Sequence, residues 1–212
     1  IFEDAVELAF SNQGSPGEYL YWKGRTLEAA QQYAEALESY VLVDTHDLRW
    51  SLENPDVFYR RGYLNSAEGN MRAAERDLKT AIVMDPANYS AVSALARVYD
   101  RQQNQVLSLE LWTRALSIKE DDPETHFEMG MRLNQMERRE EAIEHLQRSR
   151  ELGYGEQQPL LYRTLGYLYR DTGMRQDAIA ELEIYLEEER LESESSLRLE
   201  VENQIARLRQ GQ

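Results

Sequence analysis

Three positions recur together five times along this 212-residue chain. Small residues stand at Gly24, Gly62, Ala96, Gly130 and Gly166. Twelve residues on stand Ala36, Ala74, Ser108, Ala142 and Ala178, and four further on stand Tyr40, Leu78, Trp112, Leu146 and Leu182. Successive copies are 38, 34, 34 and 36 residues apart. A period of this size is the mark of a repeat array, in which each unit packs on its neighbours rather than around one central core. It points toward binding and away from chemistry.

Each copy reads as two helices. In the second, helices are predicted over 56–68 and 72–84, joined by a turn at Gly69-Asn70, with Ala74, Leu78 and Ala81 on one helical face. Asp85-Pro86 ends the unit, and Pro55, Pro123 and Pro159 open others, where a missing N–H costs nothing. The remaining turns are expected near Gln31, Asn104, Glu137 and Gly173. Two helices approach closely only where no large side chain intervenes. The recurring Gly and Ala leave that gap, and Tyr40, Leu78 or Trp112 fills the space beside it.

These residues resemble the tetratricopeptide repeat family, whose period is about 34 residues. The family pattern is met by Phe58, Gly62, Ala74, Leu78, Ala81 and Pro86, and by Val92, Leu95, Ala96, Tyr99, Trp112 and Ala115. The fifth copy supplies Tyr162, Leu165, Gly166, Tyr169, Ala178 and Leu182, with Tyr185 in place of the second Ala. Asn65 departs from the family's tyrosine and Ser108 from its alanine. The resemblance implies an all-α fold, a right-handed superhelix (α-solenoid) of helix-turn-helix repeats. The expected organisation is a partial repeat helix and linker over 1–16, five repeats over 17–190 and a capping helix over 191–212. The first segment carries an apolar face at Phe2, Ala5, Val6, Ala9 and Phe10. The last carries Leu197, Val201, Ile205 and Leu208 on an otherwise polar helix.

The resemblance also implies that the first helix of every unit lines a concave groove. Groove positions then fall on Tyr21, Arg25, Tyr59, Tyr63, Arg97, Phe127, Met131, Asn134, Arg163, Tyr167 and Arg170. Tyr and Arg are the side chains over-represented at interface hot spots, and Arg pairs bidentately with carboxylates. The groove is therefore expected to bind a peptide or protein segment carrying acidic or carboxylate groups. The competing reading is that these arginines pair inside the array with Glu28, Asp100 and Asp171. The family's clamp for chaperone C-termini wants Lys and Asn where this chain has Tyr21, Arg25, Tyr59 and Tyr63, and is not expected.

The net charge of −15 supplies no basic stripe for nucleic acid. It leaves a neutral or basic partner surface for the outer face, where Glu187, Glu188, Glu189, Glu192 and Glu194 form an acidic run. No apolar run approaches the roughly 18 residues that span a bilayer, so no direct membrane insertion is expected. The chain has no cysteine, which removes disulfides and thiolate zinc sites. That leaves the compartment open between cytoplasm and periplasm. Ile1 opens directly into a helical pattern, which reads as a piece of a longer protein.

The insertion over 44–54 gathers Asp44, His46, Asp47 and Trp50, and reads as a solvated loop resting its Trp on the array. His126 and His145 read as surface residues. No P-loop, nucleophile elbow or His-Glu-x-x-His is present, so no enzyme, cofactor or metal is expected. The reading is a non-catalytic protein-interaction module, an adaptor or assembly scaffold. The alternative is a structural spacer or oligomerisation segment with no groove ligand, a second copy of the chain then being the partner.

Overall fold

The computed structural model describes residues 15–189 and 195–211. The apolar stretch from Phe2 to Phe10, and Glu192 and Glu194 of the acidic run, lie outside the described residues. Among the described residues there is no strand. The chain divides into two compact units between Leu111 and Trp112. The first holds α1 (Pro16–Ala29), α2 (Tyr33–His46), α3 (Leu48–Glu53), α4 (Pro55–Ala67), α5 (Met71–Met84) and α6 (Tyr89–Arg101). The division falls inside α7 (Gln105–Ile118). The second unit continues with α8 (Pro123–Gln135), α9 (Arg139–Glu151) and a 3-10 turn at Tyr154–Glu156. It ends with α10 (Leu160–Asp171), α11 (Arg175–Glu188) and α12 (Ser196–Gln210).

Consecutive helices pair as the repeat predicts: α1 on α2, α4 on α5, α8 on α9 and α10 on α11. The recurring small and large positions are where they touch. A Cβ added at Gly24 would stand 2.6 Å from Tyr40 Cε1, and at Gly62 2.7 Å from Leu78 Cγ. At Gly130 it would stand 2.5 Å from Leu146 Cγ, and at Gly166 2.7 Å from Leu182 Cγ. Carbon atoms do not approach so closely, since optimal contact is near 3.5–4.0 Å. Tyr40, Leu78, Leu146 and Leu182 are wholly buried, as are Ala96 and Trp112.

Every turn inside a pair closes in the same way. One residue takes the left-handed conformation: Gln31, Gly69, Gln103, Glu137 and Gly173, with φ between 59° and 82°. The next N–H reaches back five residues to a helical carbonyl, as Gln32 does to Leu27 (2.8 Å) and Met174 to Tyr169 (2.8 Å). This Schellman closure satisfies carbonyls that a helix end otherwise leaves unpaired. The turn expected near Asn104 has its left-handed residue one position earlier, at Gln103. Some starts are fixed by side-chain caps: Asn88 accepts from Ala91 N–H (2.9 Å) and Asp122 from Thr125 N–H (2.9 Å).

Two inserted stretches are ordered rather than looped. The first contains α3, because Asp47 caps it by accepting from the Trp50 N–H at 3.1 Å. Trp50 is half-buried, its ring centroid 5.3 Å from that of Tyr21. The second, at Gly153-Tyr154-Gly155, winds one 3-10 turn and sets Tyr154 against Phe127 with centroids 5.5 Å apart. At the C-terminal end, α12 packs on α11, with Val201, Ile205 and Leu208 buried. Leu197, at its start, is only half-buried.

The departure at Asn65 has a physical account. Tyr99 and Tyr169, at the same position in other copies, bond the preceding second helix through Glu75 (3.0 Å) and Gln147 (2.7 Å). Asn65 instead faces Asp77 of its own pair at 3.4 Å. Asp77 is buried and held by a two-point bond from Arg61, at 2.8 and 2.9 Å, while Arg61 also donates to Asp44 at 2.5 Å. Arg61 thus ties α2, α4 and α5 together. Removing one partner of a buried pair leaves an uncompensated charge. Arg61→Met is therefore expected to cost about 3–5 kcal/mol by chemical denaturation. A loss under about 1 kcal/mol would place this pair among exposed ones instead.

Candidate functional site

In the first unit, helix-one polar groups are tied to one another. Tyr21 is buried, not presented, and its hydroxyl donates to Asp56 at 2.5 Å. Burial, then this carboxylate, raises the Tyr21 hydroxyl above its ordinary value. Arg25 donates to the same hydroxyl at 3.0 Å and stands 4.0 Å from Asp56. Arg60 bridges Asp56 (2.6 Å) and Glu28 (2.9 Å), and Tyr40 donates to Glu28 at 2.5 Å. For Arg25, internal pairing is what the geometry contains. Tyr59 and Tyr63 lie side by side with centroids 6.2 Å apart, and Tyr63 is 52% exposed. Arg97 is half-buried on α6.

In the second unit, Phe127 is buried against Tyr154 and presents nothing. The other assigned residues converge. Met131 and Asn134 from α8, and Arg163, Tyr167 and Arg170 from α10, line a cavity of about 580 Å³. The helical period explains the meeting. Leu161, Leu165 and Leu168 turn one face of α10 into the core. Arg163, Tyr167 and Arg170, at i, i+4 and i+7, share another. The cavity is completed by Leu160, Thr164, Leu168 and Asp171, and by Leu197 and Glu200 of α12. The last two were not legible in the sequence. The α12 stripe signals packing, and a glutamate just outside it signals only a wet face.

The charges inside the cavity differ in how they are compensated. Arg170 pairs with Asp171 at 2.7 Å and lies over the Tyr167 ring, 4.9 Å from its centroid. The Tyr167 hydroxyl stands 3.4 Å from Glu200. Burial, with the Glu200 carboxylate adding to it, pushes that hydroxyl above its ordinary value. Arg163 lies over the Tyr185 ring at 5.4 Å and reaches its hydroxyl at 3.5 Å. Among the described residues, Arg163 has no carboxylate within 4.0 Å.

No family model matches the sequence. The TPR repeat-containing protein YpiA of Bacillus subtilis (strain 168) is 25% identical over 182 residues, 84% of this chain and 41% of its own. The chain thus spans about two fifths of the length of this curated relative. The crystal structure of YrrB, described as a TPR protein with an unusual peptide-binding site, superposes with a TM-score of 0.72 at 19% identity. That match covers 95% of this chain and 97% of YrrB. MamA from Desulfovibrio magneticus RS-1 superposes with a TM-score of 0.73 at 17% identity, over 86% of this chain and 99% of that one. The chain has the fold of these tetratricopeptide repeat structures.

The remaining polar clusters do not line this cavity. Asp44 pairs with Arg61, Asp47 caps α3, and His46 bonds the Leu42 carbonyl at 3.0 Å. Among the described residues, no group of three His, Asp or Glu side chains could hold a metal ion. His126 and His145, expected as separate surface residues, meet between the two helices of the fourth repeat. Their Nδ1 atoms are 3.0 Å apart, and His126 Nε2 faces the Glu120 carbonyl at 3.0 Å. That carbonyl can only accept, so His126 carries its proton on Nε2 and offers Nδ1 as an acceptor. His145 Nδ1–H is then the donor.

Two protonated rings cannot face each other in this way. Burial, then the neighbouring His126, lowers His145 below its ordinary value, against the smaller opposing pull of Glu144 and Glu141. The unfolded chain takes up this proton near its ordinary pKa of about 6.5, whereas the folded chain resists it. The contribution is full above about pH 6.5 and is lost as pH falls below it. Denaturation at pH 7 and pH 5.5 should show a smaller drop in stability for His145→Gln than for the unsubstituted chain. Equal drops would remove the pair from the account.

Proposed function

We propose that the chain is a non-catalytic protein-interaction module. It holds a segment of a partner protein against the first helices of its repeats, with the cavity between α8, α10 and α12 as the principal site. The observation that carries this reading is the cavity itself. Its volume of about 580 Å³ lies within the range of ligand-binding pockets, roughly 300–1,000 Å³. It combines apolar side chains with a few convergent polar ones, and one of these, Arg163, lacks a carboxylate partner among the described residues. The likeness in fold to YrrB, a TPR protein with a peptide-binding site, supports the same reading.

Tyr59, Tyr63 and Arg97 are proposed as additional contacts in the first unit, since Tyr63 is the most open of the assigned groove residues there. Tyr21 and Arg25 fit a second role better. Their bonds to Asp56, together with Arg60 and Glu28, stiffen adjacent repeats. This observation favours a spacer function for the first repeat, alongside binding elsewhere.

A photo-crosslinking side chain at Asn134, introduced in the native host, tests the proposal. Adducts are expected from this position and not from Ala180, which is exposed on α11. Adding Arg163→Glu should reduce the Asn134 adducts about tenfold, the effect of losing roughly one charge-assisted bond. Adducts from both positions alike, or none from Asn134, would contradict binding at this cavity.

A further inference from the structure

The cavity carries a selectivity that peptide binding alone does not require. Among the described residues, two charges that line it have no ion-pair partner, Arg163 on α10 and Glu200 on α12. They share surroundings without forming an ion pair: both act on the hydroxyls of Tyr167 and Tyr185, in opposite directions. The other pair of charges, Arg170 and Asp171, is closed on itself at 2.7 Å. Met131, Leu160, Leu168 and Leu197 supply the apolar part of the lining. A cation beside apolar walls, short of a carboxylate, is the complement of one anion flanked by aliphatic groups.

We infer that the cavity takes a single carboxylate set among aliphatic side chains, with Arg163 as its counter-ion and Glu200 rejecting a second carboxylate. The inference rests on the peptide-binding reading above and adds the ligand's chemistry to it. A first carboxylate neutralises Arg163 through a two-point bond, which a guanidinium favours over a point charge. A second one meets Glu200 and Asp171, and like charges brought together in a partly desolvated site are strongly disfavoured. Glu200 therefore acts by exclusion. The terminal helix is then a wall of the site as well as a cover for α11. The carboxylate can belong to an internal Asp or Glu or to a chain terminus; the shared requirement is one anion beside apolar groups.

Two libraries of random dodecapeptides test this on the intact chain, one displayed with a blocked C-terminus and one with a free C-terminus. Binders are selected, then remade as synthetic peptides for affinity measurement. The expected outcome is enrichment of one Asp or Glu between Leu, Ile, Val or Met in the blocked library. A terminal carboxylate in that role would enrich only in the free one. Replacing the selected acid by its amide should weaken binding about tenfold, the worth of one charge-assisted bond.

Arg163→Gln should abolish the acidic preference, whereas Arg163→Lys should keep it at reduced affinity. Glu200→Gln should bind peptides with two adjacent acids about tenfold more tightly than the unsubstituted chain does. Circular dichroism checks that each variant keeps its helices. Binders recovered without acidic enrichment, or unchanged discrimination in Glu200→Gln, would overturn the inference and leave peptide binding standing. Recovery of no binder from either library would overturn the peptide-binding reading, and the inference with it.

Discussion

The structure depends on one contact made repeatedly: a glycine on the first helix of a pair against a large side chain on the second. At Gly24, Gly62, Gly130 and Gly166 there is no room for a Cβ, and the atoms in the way belong to Tyr40, Leu78, Leu146 and Leu182. Glycine inside a helix costs roughly 0.5–1 kcal/mol relative to alanine. The array accepts that cost in most copies because the alternative is a separation that strands a wholly buried side chain without neighbours. Close approach of the backbones fixes how each pair sits, and that in turn fixes which residues of the first helix are left facing outward.

The cavity follows from this arrangement. With Gly166 pressed on Leu182, α10 commits Leu161, Leu165 and Leu168 to the core and turns Arg163, Tyr167 and Arg170 the other way. Polar ties reinforce the same geometry from the side. Arg61 joins three helices through Asp44 and Asp77, and Arg150 pairs with the buried Glu181 across α9 and α11. Such ties are costly to break, because each would leave a charge away from water.

Much of this was legible because spacing is a strong signal. The pairing of helices, the left-handed turns at Gly69 and Gly173, and the packing of Val201, Ile205 and Leu208 follow from periodicity and turn chemistry. What periodicity could not give was the fate of each side chain on an outward-facing position. Tyr21 and Arg25 have the right offsets, yet Asp56 from the next repeat's first helix binds them in place. Phe127 has the right offset too, but the inserted Tyr154 covers it. Contacts between residues far apart in the chain, such as His126 with His145 or Glu200 with Tyr167, leave no local trace. The inserted α3 depends on a single capping aspartate, which composition alone reads as loop.

The most direct test of the central contact is a double-mutant cycle at Gly130 and Leu146, read by chemical denaturation. Gly130→Ala gains up to about 1 kcal/mol of helix propensity but forces a methyl to 2.5 Å from Leu146 Cγ, and overpacking of about 1–3 kcal/mol outweighs the gain. Leu146→Ala empties the same space and costs about 2–5 kcal/mol. In the double variant the new methyl enters the space that Leu146 vacates. The account predicts that the two substitutions together cost at least about 1 kcal/mol less than their sum. Additivity within about 0.5 kcal/mol would show that the two positions do not press on each other, and the packing rule behind the whole array would fail.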